Sequence, residues 1–166
     1  MNPVTIAVVL VAAQRLGELA LSQRNTKALL ARGAVELGSG HYVPIVAMHT
    51  LWLVALLIFV PSGTQPDWAL AAIYLALQGV RVWAIASLGP YWSTRVVTVP
   101  GAPLSRRGPY RYLRHPIYVV VAAEIAVLPL VFGAWPIAVA FSLANFLLLA
   151  WRIRVEDQAL APRRAL

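Results

Sequence analysis

The stretch from Leu104 to Tyr118, L-S-R-R-G-P-Y-R-Y-L-R-H-P-I-Y, is a basic and aromatic segment between two apolar ones. Its fifteen residues include four arginines, three tyrosines, one histidine, one glycine and two prolines. So many hydrogen-bond donors exclude a lipid-facing segment. Proline fixes φ and disfavours helix in the residue before it, so Gly108-Pro109 and His115-Pro116 each predict a turn. Because irregular backbone beside a membrane normally lines a protein-enclosed cavity, we expect this stretch to form the wall of a binding site.

The composition is that of an integral membrane protein. Of the 166 residues, 60% are hydrophobic and 12% are charged, and the mean hydropathy is +0.72. Soluble domains are about 45–50% apolar and about 25% charged. The net charge of +8 suggests nucleic acid as a partner, but the basic residues lie at the ends of apolar segments. There they set topology and contact anionic headgroups, so we expect a lipid bilayer and no nucleic acid as the partner.

Two common kinds of site are missing from the sequence. With no cysteine, the chain has no disulfide framework, no thiolate metal site and no cysteine nucleophile. Its three histidines are scattered without any metal-ligand spacing, so we expect no metal.

The apolar runs predict an all-α integral membrane protein with about five transmembrane helices, since a helix needs about 20 residues to cross a bilayer. We expect one membrane domain, residues 1–166, with three spans in residues 1–88. Residues 89–166 would hold a cofactor-binding loop, a tight helical hairpin over a cytoplasmic cofactor pocket, and a tail. The predicted spans are Pro3–Leu21, Pro44–Val60, Trp68–Leu88, Ile117–Val131 and Trp135–Trp151.

The polar segment Ser22–Tyr42 separates the first two spans and is predicted to be a loop. Ser22 or Asn25 is a candidate N-cap for a short interfacial helix that stops at Gly33.

The positive charges predict the orientation. The loop Ser22–Tyr42 carries three Lys or Arg residues, Gly89–Pro116 carries five and Arg152–Leu166 carries four. The N-terminal tip, the loop Pro61–Asp67 and the hairpin tip carry none. Five spans with the N-terminus outside put all twelve of these charges inside, as the positive-inside tendency requires. The basic stretch and the tail would then meet on the cytoplasmic face.

Charged residues also occur inside the predicted spans, where they usually face the bundle interior and often mark function. Arg15 and Glu18 are three residues apart, so they share a helical face and can pair. Arg81 either snorkels to the interface or lines the same cavity as that pair.

The tail has a compact polar signature. Arg152 and Glu156 are four residues apart and project from one face of the last helix, with Asp157 adjacent. They point to the level at which the penultimate helix begins, so two clusters distant in the chain converge there. A buried unpaired carboxylate at Glu124 would be costly, and we expect it to meet a cavity or a partner such as Arg114 or Arg152.

At these residues the chain resembles the isoprenylcysteine carboxyl methyltransferase family of integral membrane methyltransferases. Family members typically carry R-H-P-x-Y at the start of the penultimate helix and R-x-x-x-E-E after the last one. This chain has R-H-P-I-Y at 114–118 and R-I-R-V-E-D at 152–157. The first motif is specific to the family and a few relatives, the second is weak alone, and the resemblance spans roughly Leu88 to Leu160. The pattern R-x-x-E-L-x-x-S-x-R-N resembles the bacterial branch, some of whose members methylate hydroxyls of long-chain phenolic or pyrone lipids.

The resemblance implies S-adenosylmethionine as methyl donor, held between the basic stretch and the tail. Its cationic sulfonium suits a carboxylate and aromatic faces, and its own carboxylate needs donors, which Arg111, Arg114 or backbone N–H groups can supply. The positions that match the family's pocket are Gly108, Tyr110, Arg114, His115, Pro116, Tyr118, Glu156 and Asp157.

The resemblance also puts Arg152 and Glu156 at the reacting end as the catalytic residues. Arg152 would stabilise the oxyanion of the acceptor, while Glu156, His115 or Glu124 would accept its proton. A lipophilic substrate would enter sideways between the spans. The candidate substrate residues along that path are Glu18, Arg81, Trp92, Arg95 and Glu124.

Two features depart from the family pattern. Asp157 stands where the family has a second glutamate, which shortens its reach by one methylene. Family members usually continue further after the acidic pair, whereas nine residues follow Asp157 here. Part of the cofactor lid is therefore missing, shortened or supplied by the loop Ser22–Tyr42.

These features favour methyl transfer from S-adenosylmethionine to an oxygen of a small lipophilic substrate resident in the membrane. Phospholipid N-methylation is an alternative. A membrane NADPH-dependent reductase is another, because some sterol-type reductases carry a related H-P-x-Y hairpin, and Arg106 with Arg107 would then bind the extra phosphate. A small membrane scaffold protein is the non-enzyme alternative. We expect a multi-pass protein of the bacterial inner membrane with its site on the cytoplasmic face, and the oligomeric state stays open.

Overall fold

The structure is a computed structural model that describes residues 2–38, 40, 42–101 and 106–164, the last three by their backbone alone. Leu104 and Ser105, which begin the basic stretch, lie outside the described residues. Within them the chain forms five α-helices: α1 (Pro3–Leu30), α2 (Tyr42–Phe59), α3 (Trp68–Leu88), α4 (Pro116–Val131) and α5 (Trp135–Arg164). Two short 3-10 helices, Gly89–Tyr91 and Gly108–Arg111, and two antiparallel strands, β1 (Val35–Glu36) and β2 (Val97–Thr98), lie in the connections.

The predicted all-α membrane fold is confirmed. Among the described residues, four helices, α1, α2, α3 and α5, are long and apolar enough to cross a membrane. The fifth, α4, is apolar but has 16 residues. At 1.5 Å per residue it is about 24 Å long, shorter than the roughly 30 Å hydrocarbon core. The bilayer thickness alone therefore does not fix the depth of α4.

The first helix is nine residues longer than predicted, because it continues from Leu21 to Leu30. The polar residues that suggested a loop form a buried stripe on this helix, at positions 22, 25 and 26. The Ser22 hydroxyl accepts from the backbone N–H of Thr94 over 2.9 Å, and Nδ2 of Asn25 donates to the carbonyl of Trp92 over 2.9 Å. These polar side chains hydrogen-bond backbone groups of the irregular connection that follows α3. The contact holds the last turns of α1 against that connection. The chain turns at Gly33, where a stop was predicted, with φ of +82°.

The helix ends gather at two levels. At one, the backbone N–H of Asp67 donates to the carbonyl of Val131, which joins the start of α3 to the end of α4. The Asp67 carboxylate also caps α3 by accepting from Ala69 and Leu70. At the other level lie the ends of α1 and α3, the start of α4 and the charged end of α5. This is the face that the charge count assigns to the cytoplasm.

The last helix is also longer than predicted. It continues past Trp151 through the charged tail to Arg164. The tail's Arg152 and Glu156 are therefore on a continuous helix, which fixes their positions relative to the membrane-spanning part.

Candidate functional site

The start of α4 and the charged end of α5 bring the predicted catalytic residues together. The Tyr118 hydroxyl donates a hydrogen bond to Oε2 of Glu156. Nε of Arg152 donates to the same hydroxyl over 2.6 Å. The guanidinium carbon of Arg152 also lies 5.3 Å from the centroid of the Tyr118 ring. Tyr118 therefore links Arg152 to Glu156, a contact that sequence reasoning did not identify.

His115 joins this arrangement from the residue that precedes α4. Its ring stacks on Tyr118 with centroids 5.3 Å apart and an interplanar angle of 11°. Nε2 lies 3.3 Å from Oδ1 of Asp157, and Nδ1 lies 3.7 Å from Oε1 of Glu156. We call these residues the helix-end cluster: His115, Tyr118, Arg152, Glu156 and Asp157.

One glycine and one proline shape the chain that leads into the helix-end cluster. Gly108 has φ of +54°, a conformation that residues with a Cβ avoid. A Cβ here would also overlap the Ser87 side chain and lie 3.2 Å from Nε1 of Trp83. The 3-10 helix Gly108–Arg111 therefore packs closely on the end of α3. Pro116 occupies the first turn of α4, where a helix does not need its missing N–H.

Tyr110 and Arg114, which belong to the predicted pocket, lie on the segment that leads into α4. Burial, with the negative charge of Glu156 as a smaller cause, raises the pKa of Tyr110. A tyrosine hydroxyl is a protonated donor at neutral pH, and the raised pKa extends this to higher pH. Arg111 and Arg114 are exposed on the segment before α4. Their use as donors to the cofactor's carboxylate stays a prediction.

A second polar cluster lies among α1, α3 and α4, within the membrane-spanning part. Arg81 donates from Nε and Nη2 to the two carboxylate oxygens of Glu18, each over 2.6 Å. Its Nη1 donates to Oε2 of Glu124 over 2.9 Å. Arg15 donates to the same oxygen over 2.7 Å and to Glu18 over 3.2 Å. We call Arg15, Glu18, Arg81 and Glu124 the buried ion-pair cluster. The predicted pairing of Arg15 with Glu18 is confirmed, and Arg81 joins them.

The suggested partners of Glu124, namely Arg114 or Arg152, were wrong. The carboxylate is fully buried, and it accepts from the two arginines of the buried ion-pair cluster and from Nε2 of Gln78 over 2.9 Å. Glu124 lies six residues beyond Tyr118, which is about 9 Å along the helix axis. It is therefore deeper in the bundle than the residues at the helix ends.

Two glutamines in this region were missed by sequence reasoning. Nε2 of Gln14 donates to Oε1 of Glu18 over 3.1 Å, and Gln78 bonds Glu124 as described above. Each amide lies inside an apolar span, four residues before Glu18 or three before Arg81. That spacing puts each glutamine on the same helical face as a charged residue. It could have identified both glutamines from the sequence as partners of the charged groups.

The other two candidate substrate residues lie on the connection after α3. The side chain of Trp92 is buried. Arg95 donates from Nη1 to Oε1 of Glu36 over 2.8 Å, and its guanidinium carbon lies 4.8 Å from the centroid of the Tyr42 ring. Among the described contacts, Arg95 therefore joins the connection to the loop between α1 and α2, and neither residue belongs to a polar cluster.

The loop between α1 and α2 also approaches α5. A Cβ at Gly40 would lie 4.0 Å from Cζ2 of Trp151, the residue before Arg152. The pairing of β1 with β2 fixes the same loop against the connection that follows α3. Gly40 thus lies beside the turn of α5 that contributes to the helix-end cluster.

Two apolar grooves lie toward the other end of the hairpin. One is lined by residues that include Leu130, Trp135 and Ser142, and the other by residues that include Phe59 and Phe141. Both use the first turns of α5, so neither adjoins the helix-end cluster.

The chain is similar to a known protein family and to uncharacterized bacterial proteins. The model of the isoprenylcysteine carboxyl methyltransferase family matches residues 69–162, which include both polar motifs. The uncharacterized protein YpbQ of Bacillus subtilis is 40% identical over 159 residues, which cover 93% of this chain and 94% of that protein. An uncharacterized protein of Haemophilus influenzae is 26% identical over 164 residues, covering 95% of this chain and 94% of its own. No solved structure matches the chain.

Proposed function

Because the chain belongs to the isoprenylcysteine carboxyl methyltransferase family, we propose that it transfers a methyl group from S-adenosylmethionine to an oxygen of a small lipophilic substrate in the membrane. The family implies a membrane methyltransferase, and the helices fit a multi-pass protein in a bilayer. We propose in addition which methyl donor is used, which atom of the substrate accepts the methyl group and which residues act on both.

The observation that carries the proposal is the contact of Tyr118 with both Arg152 and Glu156. Tyr118 belongs to one of the two motifs that resemble the family motifs, and Arg152 and Glu156 belong to the other. The two motifs are at least 34 residues apart in the chain. Their meeting at one point of the structure supports a shared site. The buried guanidinium and the adjacent carboxylate are the pair that acid–base chemistry on an acceptor hydroxyl requires.

The residues of the helix-end cluster fit the methyl donor chemically. The stacked rings of His115 and Tyr118 offer aromatic faces, and Glu156 and Asp157 offer negative charge toward a sulfonium or an ammonium group. Arg114, exposed beside them, suits a carboxylate. When bound, S-adenosylmethionine supplies an electrophilic methyl carbon.

The chain's own groups have separate roles in this proposal. Arg152 holds the acceptor oxygen and stabilises the negative charge that develops on it when its proton leaves. Glu156 accepts that proton, and the hydroxyl of Tyr118 holds the Glu156 carboxylate in place. Positioning the acceptor oxygen near contact distance of the methyl carbon supplies much of the rate. The loop between α1 and α2 covers the cluster as part of the lid.

The acceptor that we favour is a long-chain lipid with an acidic hydroxyl, such as a phenol or a hydroxypyrone. The proton of an acidic hydroxyl can pass to a carboxylate, and the oxyanion that remains is stabilised by Arg152. An amine develops positive charge when it is methylated, which the Arg152 guanidinium disfavours. The acyl chain would reach the site from the bilayer between the helices. The site would face the cytoplasm of a bacterium, since the basic residues lie at the same ends of the helices as the site, and positive charge favours the cytoplasmic side.

The test is transfer of a radiolabelled methyl group to defined acceptors by the purified protein in lipid nanodiscs. The acceptors are a long-chain phenol, a long-chain hydroxypyrone, a prenylcysteine and phosphatidylethanolamine. We expect labelling of a hydroxyl acceptor, a loss of at least about 100-fold in Glu156→Gln, and no loss in Asp67→Asn, which removes an exposed carboxylate at the opposite end of the helices. Labelling of phosphatidylethanolamine alone, or of no acceptor, would contradict oxygen methylation.

A further inference from the structure

The buried ion-pair cluster has no role in the proposed chemistry, although among the described side chains it joins three helices through six hydrogen bonds. Two arginines and two glutamates bring their formal charges to zero there. Arg81 holds Glu18 through a two-point contact and Glu124 through a third bond. Gln78 adds a further bond to Glu124. Three helices, α1, α3 and α4, are thus joined at one depth.

Stability alone is a weak reason for such an arrangement. Removing charges from water is expensive, and replacing a buried ion pair with apolar residues of similar volume is often neutral or stabilising. Directional bonds, by contrast, define how far one helix can slide or rotate against another. Such bonds matter most for α4, because its 16 residues are too few to span the hydrocarbon core and the bilayer alone does not fix its depth.

Each of the three joined helices carries a contact of the site region one to two turns toward the cytoplasmic face. On α4, Tyr118 lies six residues from Glu124. On α3, Ser87 lies six residues from Arg81 and packs against Gly108. These separations are about 9 Å along a helix. A slide of α4 against α3 would therefore displace Tyr118 relative to the backbone that leads into the helix-end cluster.

On α1 the same pattern recurs. Ser22 lies four residues from Glu18, about 6 Å along the helix. It bonds the Thr94 hydroxyl over 2.8 Å and the Thr94 backbone N–H over 2.9 Å. This holds the connection between α3 and the basic stretch. The three helices that the cluster joins therefore set one side of the site, and α5 supplies the other side with Arg152, Glu156 and Asp157.

We propose that Glu18, Arg81 and Glu124, with Arg15, are positioning residues, which fix the register of α4 against α1 and α3 and so hold Tyr118 in place between Arg152 and Glu156. This deepens the proposed function and rests on it. It also changes the assignment of Glu18, Arg81 and Glu124 from substrate residues to residues that act through Tyr118, since their charged groups already bond one another.

The test is the double variant Arg81→Met/Glu124→Leu, which removes one positive and one negative charge and leaves Arg15 paired with Glu18. Its matched control is Asp67→Asn, which removes an exposed carboxylate at the opposite end of α3 and keeps a side chain that can cap this helix. Two properties are measured in nanodiscs. One is the affinity for S-adenosylhomocysteine by calorimetry. The other is the distance distribution between spin labels on α3 and α4, at Leu75→Cys and Val119→Cys, which are exposed positions in a chain without cysteine.

We expect the double variant to melt within a few degrees of the native protein, to bind S-adenosylhomocysteine at least about 10-fold more weakly, and to show a broadened or shifted label distance. The control should change neither property. An unchanged label distance with unchanged affinity would overturn the positioning role. An affinity loss without any change in label distance would overturn it as well.

Two further outcomes remain decisive. If the double variant does not fold, Arg81→Lys takes its place, because lysine keeps the charge but loses the two-point contact with Glu18. The same readouts apply to it, with a smaller effect expected. If the native protein itself does not bind S-adenosylhomocysteine, the proposed function fails, whereas the label distances still decide whether the buried ion-pair cluster fixes the helices.

Discussion

At the scale of single residues, Tyr118 is the centre of the site. Its hydroxyl is bonded on one side to Arg152 and on the other to Glu156, and its ring stacks on His115. The hydroxyl and the ring therefore have separable roles. The hydroxyl orients the pair that acts on the acceptor, and the ring forms a face for the methyl donor.

Removing only that hydroxyl, in Tyr118→Phe, should lower kcat by roughly 10- to 100-fold. Binding of S-adenosylhomocysteine should stay within a few-fold of the native value, because the stacked ring remains. Steady-state kinetics with calorimetry separate the two effects. The control is Tyr112→Phe, since Tyr112 is 76% exposed. A native kcat in Tyr118→Phe would show that the contact with Arg152 and Glu156 has no catalytic role.

At the scale of elements, α1 shows what patterns of hydrophobicity miss. The apolar runs predicted the starts of α1 and α3 at Pro3 and Trp68, where the structure has them. They ended α1 at Leu21, because a polar run usually means a loop. The run is instead a helical stripe that bonds a connection 64 to 72 residues later in the chain. A partner so distant in the sequence leaves no local signal.

The stripe predicts a measurable cost. Nδ2 of Asn25 donates to the carbonyls of Gly89 and Trp92 over 3.2 and 2.9 Å. Asn25→Ala leaves these acceptors without that donor and should destabilise the protein by about 1–3 kcal/mol, seen as a lower melting temperature in detergent. Thr50→Ala is the control, because the Thr50 hydroxyl bonds a carbonyl of its own helix. Equal melting temperatures for the two variants would mean that the stripe does not hold the connection.

The two polar clusters show the same limit for the site. The motifs around His115 and Glu156 could be found in the sequence, because their spacing on each helix is local. The partners of Glu124 could not, since Arg15 and Gln78 lie 109 and 46 residues away. Which arginine meets which carboxylate depends on how the helices pack, and several arginines were available.

At the scale of the whole molecule, the distribution of charge predicts the orientation. Positive residues gather at the ends of α1, α3 and α5 and before α4, and the loop between α2 and α3 has none. This arrangement favours a cytoplasmic site.

In a bacterial host, a membrane-impermeant maleimide applied to intact cells should label Ser62→Cys and should spare Arg32→Cys until the cells are opened. The native chain has no cysteine and provides the blank. Labelling of Arg32→Cys on intact cells would reverse the orientation.

The central claim is that the helix-end cluster binds S-adenosylmethionine, and calorimetry of the detergent-purified protein tests it most directly. S-Adenosylhomocysteine and NADPH are titrated separately into the native protein, His115→Ala, Glu156→Ala and the control Asp67→Asn. We predict micromolar binding of S-adenosylhomocysteine to the native protein and the control, its loss in the other two variants, and no binding of NADPH. Binding of NADPH instead, or of neither compound, would contradict the claim.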